Sequence, residues 1–163
     1  MVVDADGLNA LSENPSSLTS AAGPRILTPH VGEFRRLANK PSMNAEDCQT
    51  EAKRFAWDHQ CIVVMKGHRT LVTDGNREFN NETGNPGMAT GGSGDVLTGV
   101  ILGLLGQGLA AWEAAVLGVY LHGLAGDLAR DRVGEASLVA SDIKDHLAAA
   151  LLATNETGHR SAE

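Results

Sequence analysis

The sequence predicts a layered α/β sheet whose ligands sit at the loops leaving the carboxyl ends of its strands. Three observations carry this expectation. Short apolar, β-branched runs end in polar loop residues, amphipathic helical stretches alternate with them, and a glycine-dense loop opens the most periodic helix of the chain.

Val2-Val3 reads as a short strand stopped by Asp4, and Ile26-Leu27-Thr28, ending at Pro29-His30, repeats the form. The run 61–65 is continuously apolar and reads as an interior strand; after Lys66-Gly67, 70–73 is another, closed by the turn pair Asp74-Gly75 as in a hairpin. Between these strands, 32–37 reads as a short helix. A longer one over 46–57 places Ala52, Phe55 and Ala56 on one face with charges opposite. The second half is more helical. Over 95–105, Val96, Leu97, Val100, Ile101, Leu104 and Leu105 form one stripe, and Gly106 and Gly108 stop it. An Ala/Leu-rich helix follows over 111–130. The last starts at a Ser141 N-cap, with Asp142 favourable in its first turn, and runs through Ile143, Leu147, Ala150 and Leu151. From Thr154 polarity rises and periodicity stops, so 1–153 is expected to be the folded domain and 154–163 a disordered tail.

The 163 residues suit one domain, and 42% hydrophobic content suffices for a sizeable core. A net charge of -7 without a dense Lys/Arg cluster argues against nucleic acid or an anionic membrane surface as partner. The opening residues have no basic stretch followed by an apolar run, and no later stretch is apolar enough to span a bilayer. Cys48 and Cys61 stand apart from any second Cys or His at ligand spacing, so neither a disulfide framework nor a structural zinc site is expected, and the cytoplasm is the expected compartment. The glycosylation-like triplets at Asn81 and Asn155 read as coincidental.

Chemistry concentrates in the stretch from Thr83 to Asp95, where five of thirteen residues are glycine. Glycines let backbone N–H groups approach an anion closely, and the helix behind them adds unsatisfied N–H groups and about half a positive charge. Together these make a phosphate cradle. Asp95 is the one carboxylate in it, placed to accept a proton from a hydroxyl attacking a phosphoryl group. A flexible loop followed by a helix-favouring Asp is the competing reading of Gly91-Gly92-Ser93-Gly94-Asp95 by itself. The loop is not a Walker A motif, since no Gly-Lys-Ser/Thr follows, and it lacks the strand and acidic residue of a dinucleotide fingerprint. Asp4 and Asp6, flanking a turn at Gly7, read equally as loop caps or as substrate or metal ligands. His122 and Asp127, in a nearly apolar helix, are expected to make internal hydrogen bonds.

The run Asn81-Glu82-Thr83-Gly84-Asn85-Pro86-Gly87-Met88-Ala89-Thr90-Gly91-Gly92-Ser93-Gly94-Asp95-Val96-Leu97-Thr98-Gly99 resembles the signature of ADP/ATP-dependent NAD(P)H-hydrate dehydratases of the ribokinase-like fold. Val3-Asp4-Ala5-Asp6-Gly7, Thr28-Pro29-His30 with Gly32-Glu33-Phe34, Met65-Lys66-Gly67 with Thr70, Tyr120-Leu121-His122-Gly123 with Gly126-Asp127, and Ser141-Asp142-Ile143 resemble further motifs of that family in the same order. The resemblance covers nearly the whole chain; the Gly91 to Asp95 run alone is shared with other ribokinase-like enzymes.

It implies a ribokinase-like layered α/β/α sheet lacking its N-terminal strands, because family members carry a substantial segment upstream of the Val-Asp-Ala-Asp strand. It also implies a site. Lys66, Gly67, His68, Arg69 and Thr70 on one side, with Asn85, Pro86, Gly87, Met88, Ala89, Thr90, Gly91, Gly92, Ser93 and Gly94 on the other, would bind ATP or ADP. His30, Glu33 and Asp95 would contact hydrated NADH or NADPH, and Asp95 would take its hydroxyl proton. Mg²⁺ is implied for the phosphates, with no protein ligand cluster read for it. The implied reaction phosphorylates the hydrate hydroxyl and eliminates phosphate. A kinase of the thiamine-precursor type and a non-catalytic nucleotide-binding fragment are the alternatives, and a homo-oligomer is left open.

Overall fold

The computed structural model describes residues 1–18 and 22–160, with side chains through residue 155. Five strands form one sheet in the order β1 (Val2–Val3), β2 (Ile26–Leu27), β3 (Ile62–Met65), β4 (Leu71–Thr73) and β5 (Glu78–Asn80). β1, β2 and β3 are parallel, with Val2 beside Ile26 and Ile26 beside Ile62, while β4 and β5 return antiparallel. The turn between β4 and β5 is tied by Asp74, whose Oδ1 accepts the N–H groups of Asn76 and Arg77. β5 escapes sequence reading because only Phe79 of its three residues turns inward, between exposed Glu78 and Asn80.

Among the described residues six α-helices accompany the sheet: α1 (Asp6–Glu13), α2 (Val31–Leu37), α3 (Ala45–His59), α4 (Ser93–Gly106), α5 (Ala111–Val133) and α6 (Ala140–Arg160). Successive strand residues point to opposite faces, and the sheet feeds two cores accordingly. Leu27, Val63 and Met65 pack on one side against Leu8 of α1, Phe34 and Leu37 of α2, and Ala52 and Phe55 of α3. Phe34 and Phe55 meet edge to face at 5.8 Å. Ile26, Ile62, Val64 and Val72 face the other side, against Leu97 and Ile101 of α4 and Ala115 and Val119 of α5. A further cluster packs α6 onto α4 and α5 through Leu104, Leu121, Ala125 and Ile143. Each fully buried Leu, Ile or Phe contributes about 1.5–3 kcal/mol, which makes the layered α/β/α arrangement the low-energy partner of this pattern. No helix among the described residues is long and apolar enough to cross a membrane.

Two helices, α1 and α6, depart from the sequence reading. α1 occupies what reads as a tight loop, because it begins at Ala5 without a side-chain cap and so without a sequence signal; burial of Leu8 holds it in place. Ser141 lies inside α6 rather than capping it, and Asp142 Oδ2 instead accepts the N–H of Val139 at 2.9 Å. α6 also continues through Arg160, past the expected end at Thr154. The Thr154 hydroxyl donates to the Ala150 carbonyl one turn back, so this polar residue is absorbed by the helix and does not end it. The last three residues of the expected tail, 161–163, lie outside the described residues.

Candidate active site

Loops from the carboxyl ends of β1, β2 and β3 converge with the start of α4. Asp4 follows β1, Thr28-Pro29-His30 follows β2 and Lys66 follows β3. His30 and Lys66 pair as an isolated parallel bridge, which extends the β2–β3 register into the loops. At their centre the Lys66 ammonium lies 2.8 Å from Asp4 Oδ1 and 3.8 Å from Glu33 Oε2. Asp4 Oδ2 accepts the Thr98 hydroxyl of α4 at 3.1 Å. Burial alone would raise the Asp4 pKa, but the hydrogen bond and charge of Lys66, with help from the Ala5 N–H and Thr28, hold it below the usual carboxylate value.

The glycine loop ends directly above this pair. Gly92, with φ +86°, occupies the left-handed backbone region that glycine tolerates, and this turns the chain into α4. Among the described residues the N–H groups of Gly91, Gly92, Gly94 and Asp95 have no hydrogen-bond acceptor, whereas those of Ser93 and Val96 bond to Thr90 and Gly92. Four free donors at a helix start, with an ammonium beside them, suit an oxyanion or phosphate. A Cβ on Gly94 would stand 3.2 Å from Lys66 Nζ and 3.5 Å from Asp4 Oδ2, so that glycine is what lets α4 approach the pair. Asp95 is exposed in the same turn and is the one carboxylate of the loop.

The loop is braced from behind. Asp127 of α5 accepts the Gly84 N–H at 2.8 Å and the Asn85 side-chain amide at 3.0 Å. Asn81 is buried and donates to the Thr83 carbonyl, and Thr83 Oγ1 lies 3.0 Å from the Tyr120 carbonyl. Gly123 is the contact point: a Cβ there would come within 2.7 Å of the Thr83 backbone. His122 is buried with Nε2 3.0 Å from the Ser93 carbonyl, and burial, which outweighs that bond, together with the Lys66 charge lowers its pKa to about 4. Internal hydrogen bonds at His122 and Asp127 are thus present, and their partners are the loop and the first turn of α4.

Other sequence-predicted residues sit around this centre. His30 caps α2, its Nδ1 accepting from Gly32 and Glu33, and this commitment leaves the proton of the neutral ring on Nε2. Glu33 completes the capping box by accepting the His30 N–H at 2.8 Å. Gly67, His68 and Arg69 are exposed, Arg69 opposite Glu82, and the Thr70 hydroxyl donates to the Gly67 carbonyl. Pro86, Gly87 and Met88 form a short 3₁₀ turn, with Met88 packed towards α5, while Ala89 is exposed and Thr90 partly buried. Thr98 was not singled out by sequence reading. Its signal is a polar residue four positions after Gly94, on the same face, inside an otherwise apolar stripe.

A cavity of about 620 Å³ opens at the opposite, amino ends of β2 and β3, lined by Arg25, Trp57, Asp58, Cys61 and Asp74. The cluster around Lys66 is the better candidate for a phosphate site, because ligands of open α/β sheets bind at the carboxyl ends and Asp58 and Asp74 disfavour an anion. The Cys61 thiol there is pushed up to about 12 by burial, against the opposing charge of Arg25, and is not a nucleophile.

The layers, the switch from parallel to antiparallel strands and the helix-start cradle define a ribokinase-like α/β protein. Within that class the chain belongs to the NAD(P)H-hydrate dehydratase family, whose family model matches residues 1–149. It is 48% identical over 149 residues to a bifunctional NAD(P)H-hydrate repair enzyme Nnr of Moorella thermoacetica, covering 90% of this chain and 28% of that protein. It is 42% identical over 148 residues to an ADP-dependent (S)-NAD(P)H-hydrate dehydratase of Neisseria meningitidis, covering 88% of this chain and 50% of that one. The structure of the ADP/ATP-dependent NAD(P)H-hydrate dehydratase of Bacillus subtilis co-crystallised with ATP and Mg²⁺ superposes with a TM-score of 0.78 at 33% identity, covering 92% of this chain and 53% of that one. The chain therefore spans half or less of the length of these two curated relatives.

Gly94→Val is expected to weaken ATP and ADP binding at least tenfold, with a stability cost limited to the loss of the part-buried Lys66–Asp4 pair, since its branches would displace Lys66 from Asp4 without touching the core. Gly92→Val is the less selective change. It places a branched residue at positive φ and pushes on Ala140, and so costs about 1–3 kcal/mol of stability as well. Calorimetric titration and thermal melts of both variants separate the two effects.

Proposed function

We propose that this chain carries the nucleotide site and the proton-accepting carboxylate for ADP- or ATP-dependent dehydration of (S)-hydrated NADH and NADPH, a cytoplasmic repair of nicotinamide nucleotides. The observation that supports this best is the set of four N–H groups at Gly91, Gly92, Gly94 and Asp95 that have no acceptor among the described residues, with Lys66 beside them and the exposed Asp95 carboxylate in the same turn. The N–H groups and Lys66 hold the transferring phosphoryl, with Asn85 to Thr90 and Gly67 to Thr70 as the outer walls of the nucleotide site. His30, through Nε2–H, and Glu33 border the hydrated dinucleotide. Phosphate needs a counter-cation, and Mg²⁺ supplies charge neutralisation when it arrives on the nucleotide. Among the described residues no three His, Cys, Asp or Glu side chains converge to bind it independently, so the chain's own contribution is Lys66, the helix start and Asp95.

The hydrate carries a hydroxyl on the carbon next to the ring nitrogen, and hydroxide leaves poorly. Asp95 takes the hydroxyl proton as the oxygen bonds to the terminal phosphorus, and the bond from that phosphorus to the remaining nucleotide breaks. The carbon–oxygen bond of the ester then breaks with its electron pair leaving on phosphate, pushed by the nitrogen lone pair. Loss of a proton from the adjacent carbon restores the dihydropyridine ring. Two measurements test this. Calorimetry with ADP and ATP should show binding by the chain, and recovery of NADH absorbance from its hydrate should depend on the nucleotide. A folded sample indifferent to both nucleotides removes the phosphate-cradle reading. A stable phosphorylated product in place of NADH and free phosphate assigns a kinase.

A further inference from the structure

We propose that Asp4 is a positioning residue that acts through Lys66, holding its ammonium over the first turn of α4 where the outer phosphates of the nucleotide arrive. This rests on the reading of Lys66 as a phosphate ligand and adds what keeps it there. Lysine is a flexible stem ending in three N–H donors, and a lone lysine at a strand end would sample solvent. Here the Lys66 side chain is 21% exposed and its partner Asp4 12%, at 2.8 Å. Asp4 is itself fixed by the Thr98 hydroxyl on its second oxygen, so one carboxylate ties the end of β1 to the end of β3 and to α4. The pair uses one of the three ammonium donors and leaves the others for phosphate.

Glu33 explains why a holder is needed. Its Oε2 lies 3.8 Å from the same ammonium, on the α2 side, and is the alternative partner once Asp4 is neutralised. Lys66 would then swing away from Gly94 towards the start of α2. The absence of a Cβ at Gly94 is the space the Asp4-held position occupies, with Lys66 Nζ at 3.2 Å from where that atom would be.

The test is a double-mutant cycle in the full chain with Asp4→Asn, Lys66→Gln and both, read by calorimetric affinity for AMP, ADP and ATP, by thermal melts and by turnover. Asp4→Asn is expected to weaken ADP and ATP by about five- to twentyfold, to leave AMP within about twofold, and to lower turnover by about tenfold or more. The double variant should be no worse than Lys66→Gln alone. Thr98→Val, which frees one Asp4 oxygen, should give a smaller loss of the same pattern. Equal weakening of all three nucleotides, in step with a lowered melting temperature, would overturn the proposal in favour of a structural role. Losses that multiply in the double variant would overturn it too, because Asp4 would then act independently of Lys66. If the unmodified chain binds nucleotides but shows no dehydration, the dehydratase reading fails on its own, and the affinity cycle still decides the role of Asp4.

Discussion

Asp95→Asn is expected to lower nucleotide-dependent dehydration by about a hundred- to ten-thousand-fold while leaving ADP and ATP affinity nearly unchanged. Asparagine keeps the size of the side chain and its place in the first turn of α4, but it cannot accept a proton. The N–H groups that would hold the phosphoryl are backbone groups, and Lys66 draws its charge partner from Asp4, so neither depends on Asp95. Stability should shift by no more than about 1 kcal/mol, the usual worth of a carboxylate at an exposed helix start. The assay follows NADH formation from its hydrate beside nucleotide titration of the same samples. Near-normal turnover by the variant would reduce Asp95 to a helix-favouring residue and end the mechanism proposed for it.

How far this site could be read beforehand depended on how local its signals are. The glycine-rich start of α4 was legible because its physics is written in consecutive residues, from the glycine density to the apolar stripe that follows Asp95. The strands β1 to β4 were legible for the same reason, as apolar runs with polar stops. What sequence left undecided was held by contacts between distant residues. Asp4 read equally as cap or ligand, since its partners Lys66 and Thr98 stand 62 and 94 positions away. α1 was missed because it lacks a cap, and β5 because an edge strand of three residues with a single apolar side chain is too short for its alternation to register. The family resemblance named the loop's motif residues, including Asn81 and Thr83. The fold shows what those two do: they tie the loop to the backbone of α5, Thr83 by donating to the Tyr120 carbonyl and Asn81 by donating to the Val119 carbonyl.

Acid should unfold the protein partly through His122. Its ring is buried among α5 and the first turn of α4, with Nε2 donating to the Ser93 carbonyl and Lys66 near enough for its charge to count. Burial, opposed by the bond to Ser93 and reinforced by Lys66, brings the folded-state pKa down to about 4, whereas an unfolded histidine takes up its proton near 6.5. Between those values the unfolded chain binds more protons than the folded one. Stability is therefore fully present above about pH 6.5 and is lost as pH falls towards about 4, by roughly 3 kcal/mol if His122 acted alone. His122→Gln removes the titration while keeping an N–H that can reach Ser93. Urea melts of both proteins from about pH 7.5 to pH 4.5 should show a steep loss of stability in the original chain and a flatter one in the variant, with any carboxylate contribution, including that of Asp4, common to both. Parallel stability curves for the two proteins would mean that His122 is not held neutral by the fold.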